Sequence, residues 1–190
     1  MAQTERPLTL PARTLSDADP AVAAALAKAK AQAGRIPNMY AVMANAPGLL
    51  ETYLDGYHSF RSASGLSPAE QETILLTISR FNGCEYCVAA HSTIADQNKV
   101  PAEVTDAIRD GKPIPDARLA ALAAFTESFV ETRGLPSAAQ VDDFLSAGFT
   151  ETDILQVVLA AAVKTISNYT NHLFHTPVDS MIANRAWSDD

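Results

Sequence analysis

The chain has 190 residues, a formal net charge of −8, a pI near 4.9, and 47% hydrophobic but only 7% aromatic residues. Its length favours a single domain able to bury roughly 70% of its unfolded surface without staples. The acidic balance argues against nucleic acid, which needs clustered Lys and Arg, and no apolar run reaches the roughly 18 residues of a membrane span.

Met1-Ala-Gln-Thr-Glu-Arg-Pro7 has no basic region leading into an apolar one. No secretory signal is therefore expected, and a cytoplasmic location is, where disulfides are transient and catalytic rather than structural. Abundant alanine and few β-branched runs predict an all-α, single-domain fold with close helix packing.

Residues 1–19 are polar and proline-punctuated, an N-terminal arm ahead of a helical domain at 20–185. A helix is predicted from Pro20 to Gly34, and Ile36-Pro37-Asn38 turns into a short one reaching about Ala44. Pro47 opens another that runs to about Ser62. Ser67-Pro68-Ala69-Glu70 carries an N-cap serine, proline at N1 and glutamate at N3, and starts a helix to Phe81 that is apolar nearly all round and so lies centrally. Asn82-Gly83 can end it with a left-handed cap.

Cys84 then opens a helix to about Gln97, completing a central helical hairpin. Further helices are expected from Pro101 to Gly111, Pro115 to Thr132 and Ser137 to Ala147, and from Thr150-Glu-Thr-Asp153 into the early 170s. The segment from Thr150 loosely echoes the one from Ser67. Residues 186–190 read as a loose tail.

The only two cysteines form Cys84-Glu-Tyr-Cys87, and His91 follows one turn later. On a helix, these positions share one face. Residues three apart have Cα atoms about 5 Å from each other, within the range of a disulfide. A helix N-terminus favours the thiolate, and His91 is placed to take a proton from Cys87. An ordinary thiol is only about 3% ionised at neutral pH, so such help matters. If the hairpin is antiparallel, Glu72 can reach His91 and orient its ring; a first-turn carboxylate also simply suits the helix dipole.

Three further roles fit the same residues. Cys84, Cys87 and His91, with Glu72 or water, could hold zinc. The pair could be a redox sensor whose output is a conformational change, or two buried cysteines with no chemistry. Haem attachment is excluded, because Val88 stands where CxxCH requires histidine. His58 suits packing or a pocket wall, and His172 and His175 suit a helix C-terminus.

Glu72, Asn82 and Cys84-x-x-Cys87-x-x-x-His91 together resemble the signature of alkyl hydroperoxidase D (AhpD)-like proteins of the carboxymuconolactone decarboxylase superfamily. Looser similarity runs from Ile36-Pro-Asn-Met-Tyr40 to Asn168-Tyr-Thr-Asn-His172, as in the peroxidase-related branch. The resemblance implies an all-helical oligomer (dimer, trimer or hexamer) acting as a thiol-dependent peroxidase. In that scheme Cys87 attacks a hydroperoxide substrate, Cys84 resolves the sulfenic acid as a disulfide, Glu72 and His91 relay protons, and a thiol or dithiol reductant restores the pair. No metal or organic cofactor is required. Some members carry histidine between the cysteines, where this chain has Tyr86, which shortens the relay by one group. A non-peroxide substrate such as a lactone or quinone fits the same frame.

Overall fold

Ser67 and Glu70 close a capping box: the Glu70 amide donates to Ser67 Oγ at 3.3 Å, and the Ser67 amide donates to Glu70 Oε2 at 2.7 Å. Two amides that the helix cannot itself satisfy are thereby paired. The helix they start is buried at every residue from Gln71 to Ser79, as its apolar circumference requires.

The computed structural model describes residues 4–188. In chain order the helices are α1 (Pro20–Ala33), α2 (Asn38–Met43), α3 (Pro47–Ala63), α4 (Pro68–Phe81), α5 (Glu85–Gln97), α6 (Ala102–Asp110), α7 (Ala117–Glu131), α8 (Ala138–Ser146) and α9 (Glu151–Phe174), followed by a 3-10 helix at Ser180–Arg185. There is no strand among the described residues, and the fold is the expected all-helical one. No single helix among them is long and apolar enough to cross a membrane.

Helix α4 packs against α5, α6, α7 and α9, while α9 also packs on α2 and α3. Two apolar clusters result. One lies around α4, α7 and α8, where the rings of Phe125, Phe144 and Phe149 stack with centroids 4.3 and 4.6 Å apart. Each such buried side chain is worth about 1.5–3 kcal/mol. The other gathers Leu26, Met39, Tyr40, Leu54 and Val163 around both cysteines. At Gly56, α3 meets α9 so closely that an added Cβ would stand 2.7 Å from Val163 Cγ1.

Several boundaries differ from expectation by a residue or two because a side chain caps the helix. Asp116, not Pro115, starts α7, its Oδ1 accepting from the Leu119 amide at 2.9 Å. Residues 4–19 run in extended and turn conformation against their own chain, with the Leu8 amide donating to Leu173 O and the Arg13 amide to Ala41 O. The tail expected to be loose is held as far as Trp187, whose indole N–H donates to Arg109 O at 3.0 Å. The parts of the expected arm and tail at residues 1–3 and 189–190 lie outside the described residues.

Candidate active site

The α4–α5 hairpin turns at Asn82-Gly83, where Gly83 takes the left-handed φ of 64° that lets the chain reverse within two residues. Cys84 follows as the N-cap of α5, extended at φ −89° and ψ 93°. The expectation that all three reactive side chains lie within one helix is corrected here. Cys84 stands just ahead of α5, its amide donating to Ser79 O, and only Cys87 and His91 are helical. The cap keeps Cys84 beside Cys87 while leaving Cys87 in the first turn, where unpaired amides favour a thiolate.

Both thiols are buried and unbridged. A residue of α9 joins them: Asn171 Nδ2 lies 3.3 Å from Cys87 Sγ, 3.8 Å from Cys84 Sγ and 3.2 Å from Met39 Sδ. One turn along α5, His91 Nδ1 is 3.0 Å from Glu72 Oε2, as the antiparallel hairpin allows. The other Glu72 oxygen forms a close ion pair with Nη2 of Arg61 on α3, at 2.5 Å. The same guanidinium donates to Tyr57 Oη at 2.7 Å and to Gln71 Oε1 at 3.1 Å.

These environments set the charges. Burial opposes an ionised Glu72, but the hydrogen bond and charge of His91 and the charge of Arg61 outweigh it and hold the carboxyl below its usual range. Burial, reinforced by the charge of Lys164, pulls His91 down to about 4 against the opposing pull of Glu72. At neutral pH His91 is therefore uncharged. Because a carboxylate only accepts, Nδ1 carries the hydrogen and Nε2 is left as an acceptor.

Burial also opposes a Cys87 thiolate, yet the Cys84 thiol and the charge of Lys164 hold Cys87 well below an ordinary thiol. Cys84 moves the opposite way, raised by its interaction with Cys87 and by burial. The pair is thus polarised into one nucleophilic sulfur and one that keeps its proton.

Sequence reasoning misses Lys164. It is fully buried on α9, its Nζ makes no well-formed hydrogen bond among the described residues, and it favours the Cys87 thiolate chiefly through its charge. A signal is present: Val157, Ala160, Lys164, Asn168 and Asn171 share the buried stripe of an otherwise small and apolar helix. Arg61 offers none, since a basic residue in the last turn of a helix suits its dipole anyway.

A cavity of about 480 Å³ opens over Cys87, His91 and Lys164. His58 is exposed on its wall. His172 lies beyond it, partly buried, its ring stacked on Tyr169 with centroids 6.3 Å apart. His175 caps α9 in left-handed conformation, with Nε2 2.9 Å from Thr4 O. Tyr86 is a strut: its phenol donates to Asp179, which also accepts from the Asn38 amide at 3.2 Å. As for the alternative zinc set, His91 turns its Nδ1 to Glu72, and no three His, Cys, Asp or Glu side chains converge among the described residues.

Fold and site together define an all-helical protein with a buried, polarised dithiol backed by a Glu–His pair. Residues 47–128 match the model of the Carboxymuconolactone decarboxylase family. No curated protein matches the sequence significantly.

Among solved structures, a peroxidase-related protein of Ralstonia eutropha JMP134 with an alkylhydroperoxidase AhpD core is similar at a TM-score of 0.79 and 20% identity, over 91% of this chain and 93% of that one. A peroxidase-related protein of Silicibacter sp. TM1040 gives 0.74 and 21%, over 95% and 97%. The debrominase Bmp8, as a cysteine-to-alanine variant in complex with 2,3,4-tribromopyrrole, gives 0.76 and 15%, over 94% and 96%. At these identities the likeness is one of fold.

Proposed function

We propose that this protein is a cytoplasmic, thiol-dependent peroxidase that reduces a hydroperoxide through Cys87 and Cys84. The observation that carries the proposal is the polarised pair, with Cys87 favoured as thiolate under an open cavity and Cys84 kept as thiol beside it. Cys87 Sγ attacks the distal oxygen of the peroxide and the O–O bond breaks. The alkoxide takes up the proton that Cys87 gave up on ionising, returned through His91 Nε2, and leaves as the alcohol, while Cys87 becomes a sulfenic acid. Cys84 loses its proton to His91 Nε2, held by Glu72 and Arg61, and displaces water to form the disulfide. An external thiol or dithiol returns the two electrons.

The exposed face of α9 supports a homo-oligomer. Leu155, Val158, Tyr169 and Leu173 are 64, 43, 54 and 45% exposed along one stripe, and apolar side chains grouped on one exposed face suit a contact with a second copy.

The test is one equivalent of cumene hydroperoxide added to reduced protein, read by intact mass, free-thiol count and remaining peroxide. Loss of two hydrogens and of both thiols, with peroxide consumed, is the expected result. Cys87→Ser abolishes consumption, and Cys84→Ser stops at the sulfenic acid. Unchanged thiols and intact peroxide would refute the proposal. The same frame also suits reductive removal of a halogen from an aromatic ring, given that Bmp8 is a debrominase of this fold and that Tyr40, Tyr53 and Tyr57 line the cavity. 2,3,4-Tribromopyrrole in place of peroxide tests it.

A further inference from the structure

Two cationic side chains on the cavity wall make no hydrogen bond or ion pair with a carboxylate or other polar group of the described residues. Lys164 Nζ and Arg35 Nε are both shielded from water, and neither has a hydrogen-bond partner among the described residues. Buried donors left unpaired are rare and call for a partner. The third cation on the wall, Arg61, is already taken by Glu72, Tyr57 and Gln71. Lys164 has the Cys87 thiolate to answer its charge. Arg35 has no such counterpart, and it is in no ion pair among the described residues.

The wall carries no acid to supply one. Although Asp and Glu outnumber Lys and Arg 22 to 14 in the chain, none lines the cavity. A patch of positive potential in an acidic protein repels the protein's own cationic partners and draws anions.

Position fits as well. Arg35 is half-buried among exposed Gln32 and Ala33, at the mouth, whereas Cys87 and Lys164 are buried at the floor. Between them lie Tyr40 and Tyr53, their rings edge-on at 5.7 Å, and Tyr57 stacked on Tyr53 at 5.7 Å. The volume of about 480 Å³ suits a drug-sized organic molecule and far exceeds what hydrogen peroxide needs.

We infer that the cavity is built for an organic acid, whose carboxylate is held by Arg35 at the mouth while its aromatic or branched apolar body lies along Tyr40 and Tyr53 with its far end toward Cys87. Only the statement that this far end is the reacting group rests on the peroxidase proposal. The binding itself stands on the wall of the cavity.

Two unreactive probes separate the two claims: 4-isopropylbenzoate and its uncharged amide of the same shape. Each is titrated calorimetrically into the reduced protein, and each is tested for protection of the thiols from iodoacetamide. The acid is expected to bind and protect, with the amide at least about tenfold weaker, and Arg35→Gln is expected to weaken the acid by about tenfold, the scale of one charge-assisted contact. Arg35 makes no hydrogen bond or ion pair with a described residue, so Arg35→Gln removes none.

Equal binding of acid and amide, no binding of either at millimolar concentration, or unchanged acid affinity in Arg35→Gln overturns the inference. Neither probe is a peroxide. A protein that binds the acid but leaves cumene hydroperoxide intact loses the peroxidase proposal and keeps the site. A protein that consumes the peroxide without discriminating the acid loses the site alone.

Discussion

Replacing Lys164 with methionine is expected to make the protein more stable and less reactive at once. Lys164 is 0% exposed, and no hydrogen bond reaches its Nζ among the described residues. Holding such a charge out of water costs several kcal/mol, and attraction to Cys87 offsets part of that only while Cys87 is ionised. Methionine keeps the unbranched shape and nearly the volume, so no cavity opens. Replacing a buried ion pair by apolar groups is neutral or gains about 1–4 kcal/mol, and the partner left behind, Cys87, takes up a proton and so leaves no unpaired charge. We expect about 2 kcal/mol in urea unfolding at pH 7, or a Tm higher by about 4–8 °C for a chain this long.

In a Cys87→Ser background the gain is larger, because no thiolate remains to answer the lysine, and a double-mutant cycle reads the difference directly. In the same Lys164→Met protein, Cys87 moves back toward an ordinary thiol, about 3% ionised at neutral pH. Its alkylation by iodoacetamide therefore slows by at least about tenfold, as follows from the same ionised fraction. A Lys164→Met protein that is less stable and labels at the wild-type rate would show that the lysine is already satisfied and does not act on Cys87.

Stability should also fall in acid through His91. Its folded pKa of about 4 lies below the ordinary 6.5, so the unfolded chain binds the extra proton first as pH drops. The contribution is fully present above about 6.5 and is lost as pH falls through about 4, amounting to about 3 kcal/mol. Urea unfolding across that window should show the slope, and His91→Asn should flatten it; an equal slope in both proteins refutes the assignment. Gly56→Ala places a methyl 2.7 Å from Val163 Cγ1 and should cost about 1–3 kcal/mol, less the helix preference of alanine. Adding Val163→Ala should relieve the clash, and a second variant no better than the first would mean the helices do not meet there. Tyr86→Phe removes the hydrogen bond to Asp179 and should cost about 1.5–3 kcal/mol, with faster proteolysis across residues 177–185. Unchanged proteolysis would show that the segment is held by other contacts.

The sequence alone is enough for the helices and for the heart of the candidate site, because both are written locally. Ser67 and Glu70, Thr150 and Asp153, and Gly111 are capping signals that act within one turn, and the structure has a helix boundary at each of them. Cys84, Cys87 and His91 are close in space because they are close in the chain. Glu72 comes within reach as soon as α4 and α5 pair as an antiparallel hairpin.

Tertiary structure decided the rest. Charge and burial act through space, and the groups set around the thiols and the Glu72–His91 pair come from distant segments: Lys164 and Asn171 from α9, Arg61 from α3. No local pattern distinguishes Arg61 from any basic residue at a helix end, and Lys164 becomes informative only once its stripe of α9 is known to face α5. The same holds for Arg35, an ordinary turn residue in sequence, whose meaning depends on a cavity assembled from separate stretches of chain.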